Sequence, residues 1–310
     1  MAMTLESAMH IRQVPWFGIG TAVDEAPTSA EAMRLAGLDW EVRQKPVYCD
    51  GMRIPNRVGN VRVRVDRETH AVEKNVVGIV SPDYRPVQNR EAFDFFDSLI
   101  GEEARYESAG CLGEGRQIFL TAKMERRWTV ADDEIDTYLL LSNGHDGLHA
   151  LRAAVTPIRV VCQNTLNLAL AGAKRSWTMF HSRDIREKMR EAQTALGLTA
   201  AYMDEFTRFG NRAVDTKVSA GKIEFLADVL FRPQEMTEAA KKTMERKTAE
   251  FEACLNAPDV RPYAGTVWGV LNAVSDFETH RGQASAVLNK VLNDRLSLSK
   301  KAFAFLAGAV

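Results

Sequence analysis

The sequence predicts an α+β fold: a central antiparallel β-sheet that includes a basic hairpin, packed by helices and followed by a helical C-terminal half. Two observations carry this. Between Trp40 and Cys162 the chain divides into short runs with a period of two, separated by clusters of Gly, Pro, Asn and Asp. After Leu166 the apolar residues recur at helical spacing instead. Strands first and helices later favour segregated layers over alternating βαβ units. The 310 residues are enough for one large domain or two. The expected organisation is an N-terminal arm over 1–27, an α+β core domain over 28–210 and a helical C-terminal region over 211–310.

The arm reads as irregular, anchored by Trp16-Phe17-Gly18-Ile19-Gly20. A helix opens next, with Thr28 or Ser29 as N-cap and Glu31 or Glu25 nearby, and it ends at Gly37. Trp40 to Tyr48 alternates like a strand. Val61, Val63 and Val65 alternate with Arg62, Arg64 and Asp66, which gives one apolar and one basic face. Asp66 to His70 supplies the turn and Val72 to Val80 the return strand. Pro82 and Pro86 mark a loop, because proline interrupts a sheet ladder. Asn89 caps an amphipathic helix from Glu91 to Ile100. Arg105 to Leu112 and Arg116 to Met124 are strands around a Gly113-Glu114-Gly115 turn. Asp136 to Ser142 and Ala150 to Cys162 complete the sheet. Helices are expected over Ser182 to Leu196, Thr199 to Phe209, Met236 to Leu255, Ala264 to Glu278 and Asn289 to Ala309. Gly210 to Gly221 and Asn256 to Pro262 read as linkers.

Composition narrows the function classes. Forty basic and 41 acidic residues leave a net charge of -1, which argues against a strongly basic nucleic-acid binder but not against a local basic track. No run approaches the roughly 18 apolar residues that a membrane span needs. Met1 to Gln13 shows no secretory signal. Four cysteines at 49, 111, 162 and 254, with no CxxC pair, fit reduced thiols and a cytoplasmic location. Walker A, GxGxxG after a strand, GxSxG, HExxH and the kinase set are all missing, which weakens the case for a nucleotide-driven enzyme or an ordinary hydrolase.

Three groups of residues could carry chemistry. Asn143-Gly144-His145-Asp146-Gly147-Leu148-His149 spaces two histidines as zinc ligands can be spaced, with Cys162 as a third ligand through the fold. Gly144 and Gly147 oppose a helix there, and the competing reading is a tight turn hydrogen-bonded by His145 and Asp146. Cys162 is the second candidate, as a nucleophile with His145 as base, against inert core filler. The third is distributed: Arg62, Arg64, Arg126, Arg127, Arg152, Arg159, Lys174 and Arg175, with Trp128 among them. Basic side chains interleaved with aromatics suit single-stranded nucleic acid. The competing reading is a solvated sheet face balanced by Asp132, Asp133, Glu134 and Asp136. Arg159 within its strand calls for a carboxylate or an anion.

Val76 to Val80, Tyr84-Arg85-Pro86-Val87-Gln88-Asn89, Ala109-Gly110 and above all Arg159-Val160-Val161-Cys162-Gln163-Asn164-Thr165-Leu166 resemble the phage/plasmid-like protein family, a domain of unknown function. Thr266 to Val274 is similar to that family's C-terminal segment. The resemblance implies a mobile-element setting and transfers no catalytic residue. A looser likeness joins the β-rich middle to RecT/Redβ-type single-strand annealing proteins, which assemble into rings or filaments. The leading expectation is therefore an oligomeric, cofactor-free binder of single-stranded DNA, without catalysis. The alternatives are a metal- or thiol-dependent enzyme built on His145, Asp146, His149 and Cys162, and an interaction module that engages a host protein.

Overall fold

The period-two runs pair into two sheets. The computed structural model describes residues 3–11, 20–25, 27–66, 68–100, 104–159, 176–182, 184–195, 198–280 and 290–310. The larger sheet contains β1 (Leu5–Ile11), β2 (Thr21–Val23), β6 (Ala104–Leu112), β7 (Gln117–Met124), β8 (Trp128–Val130), β9 (Asp133–Gly144), β10 (Leu151–Arg159) and β11 (Ser176–Met179). Its order is β11-β10-β9-β7-β6-β1-β2, with β8 attached to β9. The pairing is antiparallel except between β1 and β2. The smaller sheet is the meander of β3 (Glu41–Cys49), β4 (Met52–Val65) and β5 (Val72–Val80).

Alternation along the larger sheet divides its two faces. Ile118, Leu120 and Ala122 on β7, Leu139 and Leu141 on β9, and Ala153 and Val155 on β10 belong to the main core. Against this core lie α1 (Ser29–Leu35), α2 (Asn89–Ile100), α3 (Ile185–Ala195), α4 (Leu198–Asp215), α5 (Ala220–Phe231), α6 (Glu238–Leu255), α7 (Val267–His280) and α8 (Ser297–Leu306). Phe119, Leu140, Leu112 and Ala8 face the other way and form a smaller cluster with Leu292. Trp268 on α7 is fully buried, and its indole N–H donates to the Asp133 carboxylate at 2.8 Å. That bond ties the helical half to the end of β9. The α+β class read from the sequence is the observed one.

Thr28 does cap α1, in a reciprocal capping box with Glu31. Asn89 does not act as a simple cap. It is the first residue of α2, and its side chain reaches inward to Leu38 O and His145. Inside the stretch read as an irregular arm, Leu5–Ile11 is a strand that pairs with β6. The expected linker over Gly210 to Gly221 is the last turns of α4 and the start of α5, with Ser219 capping α5. Thus α4 runs across residue 210, where the sequence places a domain boundary.

The basic hairpin is turned the other way from its simplest reading. Arg62 and Asn60 face inward and are buried, along with Val42 and Val77. The opposite face exposes Val65, Val72, Val76 and Ile79, each between 53% and 62% exposed. The reason lies in β1. Arg62 Nη1 donates to both Glu6 carboxylate oxygens, at 2.9 and 3.0 Å, and the guanidinium lies 4.9 Å from the Trp40 ring. A buried guanidinium tolerates such a position only with a carboxylate and a ring face to meet it.

Candidate functional site

The loop after β9 enters a polar seam between the two sheets. Gly144 is needed at its start, because a Cβ there would lie 2.2 Å from His149 O. Asp146 then closes the turn: its Oδ1 accepts the Leu148 and His149 N–H groups at 2.9 and 3.0 Å. The smaller sheet presses on this loop at Gly78, where a Cβ would meet the Asp146 backbone at 2.5 Å. Asn60 reaches across from β4 and donates to His145 O at 2.7 Å. Tyr84 donates its hydroxyl to Gly144 O at 2.8 Å.

His145 occupies the floor of the seam and is fully buried. Asn89 gives its amide N–H to Leu38 O, so its Oδ1 is left to accept from His145 Nε2 at 3.0 Å. Nε2 therefore carries the proton, and Nδ1 is a buried acceptor with no protein partner. Burial, with a smaller contribution from His181, pushes the His145 pKa down to about 3. The Trp40 ring packs edge-on against it at 5.2 Å. His181 stacks on Tyr84 at 4.7 Å and donates from Nδ1 to Arg85 O, and burial lowers its pKa to about 4. Both imidazoles are neutral members of the structure at neutral pH.

His149 differs. Its Nδ1–H donates to Asp146 Oδ2 at 2.8 Å, which fixes the ring in the loop. Burial acts to raise the Asp146 carboxyl, but the bonds from His149 and the two backbone N–H groups outweigh it and hold the group below its ordinary value. His149 lines a cavity of about 300 Å³ with Arg152, Ser176, Thr178, Asn293, Asp294 and Arg295. A second cavity, of about 550 Å³, opens beside Tyr84 and His181 and is lined by Ser81, Asp83, Ser182 and Asp184.

The structure brings His145, Asp146 and His149 into one loop but aims the two histidines at different partners. Among the described residues no group of three His, Cys, Asp or Glu side chains is arranged to hold a metal. Cys162, Lys174 and Arg175 lie outside the described residues, as does the side chain of Arg159.

Among the described residues, the distributed basic side chains do not form one open track. Arg62 is held by Glu6. Arg127 donates to Asp136 and Glu134, both at 2.9 Å, and Lys123 joins Asp136. Arg126 lies over the Trp128 ring at 4.7 Å, with Asp204 at 3.9 Å. Trp128 is itself only 7% exposed, so it presents no open stacking surface. Arg152 is buried and donates to Leu292 O at 2.9 Å. Arg64 is partly exposed, in register with Glu73. Arg62, Arg127 and Arg152 are thus committed to carboxylates or a carbonyl, whereas Arg126 is largely and Arg64 partly exposed.

Other basic groups were not singled out by sequence reasoning. The β3–β4 hairpin extends beyond the rest of its sheet, and Lys45, Tyr48, Met52, Arg53 and Arg57 on it are exposed. Lys45, Arg53 and Arg57 meet no carboxylate among the described residues. The signal available in the sequence was a run of 13 residues, Lys45 to Arg57, that holds three basic side chains and one acid, Asp50.

No curated protein and no solved structure matches the chain. One family does match, over residues 76–299, a span that begins at β5 and takes in the His145 loop, β10, β11 and Arg295. The chain belongs to the family described as Domain of unknown function (DUF932).

Proposed function

We propose that the protein binds single-stranded nucleic acid as an oligomer, without catalysis, and that the β3–β4 hairpin is its main contact. The observation that carries this is the hairpin itself: Lys45, Arg53 and Arg57 are exposed and meet no carboxylate among the described residues, and Tyr48 on the same hairpin is 59% exposed. Cations that pay no cost in broken ion pairs are available to phosphates, and an open ring is available to a base. The hairpin lies before the family-matched span, so the reading concerns this chain and is not borrowed from its family.

Assembly finds support on the same sheet. Val65, Val72, Val76 and Ile79 form an open apolar face, and such faces mark contact surfaces. Repetition around an assembly would align one hairpin per subunit, which answers the near-zero net charge.

The test is fluorescence anisotropy with a labelled oligothymidine at low salt, read beside particle size with and without the oligonucleotide. Binding that weakens with salt and is reduced by Arg53→Gln with Arg57→Gln is expected. Absence of binding at low salt would refute the proposal. Recovery of a host protein on the intact chain, independent of DNA, would favour the interaction-module reading instead.

A further inference from the structure

The cavity beside His149 is built differently from the seam. Arg152 on β10 faces the same side as Thr178 on β11, its partner in register, and Ser142 on β9. The guanidinium is buried and is held in place by Leu292 O. Among the described residues Asp294 is the one carboxylate on the cavity wall, and it sits 3.0 Å from Lys300 and 3.9 Å from Arg152. Arg295 lines the cavity, is exposed, and makes no ion pair among the described residues. Ser176 and Thr178 carry hydroxyls, and His149 completes the wall, its ring fixed by Asp146. The volume of about 300 Å³ is at the small end of ligand sites.

These donors come from different elements and surround the space, so they suit a tetrahedral anion better than a planar carboxylate. We propose that this cavity binds the phosphate group of a small phosphate monoester. Arg295 and the two hydroxyls donate to phosphate oxygens, and Arg152 supplies a fixed positive charge behind them. The contact with His149 Nε2 needs one proton, carried by the imidazole or by the phosphate. The site is separate from the β3–β4 hairpin and does not depend on the reading given to it.

The experiment is calorimetric titration of the full chain with inorganic phosphate, then with ribose 5-phosphate and a nucleoside 5′-monophosphate, and with acetate as the planar control. Saturable phosphate binding is expected. Arg295→Gln, at an exposed position, should weaken it by about tenfold or more, and His149→Gln should weaken it too. The hairpin pair Arg53→Gln with Arg57→Gln should leave it unchanged. The monoester that binds more tightly than inorganic phosphate identifies what the rest of the cavity accepts. No binding of any phosphate species, unchanged affinity in Arg295→Gln, loss of binding in the hairpin pair, or equal binding of acetate would each overturn the proposal.

Discussion

Acid should destabilise this protein through two buried histidines well before its carboxylates titrate. The ordinary imidazole value is 6.5, and the fold lowers it to about 3 for His145 and about 4 for His181. As pH falls through 6.5 the unfolded chain takes up protons that the folded chain refuses, so folding stability is full above that value and is lost below it. At 1.36 kcal/mol per unit, each histidine removes about 2 kcal/mol between pH 7 and pH 5, and the two together about 4 kcal/mol. Asp146 contributes nothing in that window, since its carboxyl is held below its ordinary 3.8 and matters only in stronger acid. The assay is urea unfolding followed by far-UV circular dichroism at pH 7 and pH 5. His145→Gln with His181→Gln is the comparison, because Gln can keep the donor that each ring presents to Asn89 Oδ1 or Arg85 O. The double variant should be less stable at pH 7 yet lose about 4 kcal/mol less on acidification. Parallel losses in wild type and variant would refute the argument, and would place the acid sensitivity elsewhere.

Three further outcomes follow from the geometry. Arg62→Met should cost about 2–3 kcal/mol, below the range for a fully buried pair because Glu6 is 32% exposed, and should leave oligonucleotide affinity unchanged; denaturant titration and anisotropy check the two halves. Gly78→Ala should cost about 3 kcal/mol by driving a Cβ into the Asp146 backbone, which has no flexible end to yield, as read from the unfolding midpoint. If nucleic acid meets three free cations on the hairpin, log affinity should fall with log salt at a slope of about -2, and Arg53→Gln with Arg57→Gln should reduce that slope to about -0.7. An unchanged slope in the pair would remove the hairpin from the interface.

What could be read in the sequence was whatever depends on neighbours along the chain. The Thr28–Glu31 box, the Asp66 turn and the Asp146 turn each rest on side chains within three residues of the backbone groups they satisfy. The alternation of Val61, Val63 and Val65 located a strand correctly, because period is a local property. It could not say which face is inside. That was decided by Glu6, 56 residues away on a strand whose mixed sequence hid it, and by Trp40 beside it. Two partners turned Arg62 inward, although Val63 on the opposite face is buried as well. The α5 helix was missed for a related reason: Gly221 suggests a break, whereas the Ser219 cap and the burial of Leu226, Ala227, Leu230 and Phe231 outweigh one glycine. The same limit governs the sites. His145 drew notice as a metal or base candidate, yet Asn89, 56 residues away, makes it a structural donor. Arg152 drew notice as a phosphate contact in a track, and the carbonyl that fixes it is Leu292 O, 140 residues away. That same segment supplies Arg295 to the cavity, so the residue most useful for binding an anion there has no local signature at all. In this chain the position of a charged residue in sequence tells which element carries it, and only its distant partner tells whether the charge is free to do anything else.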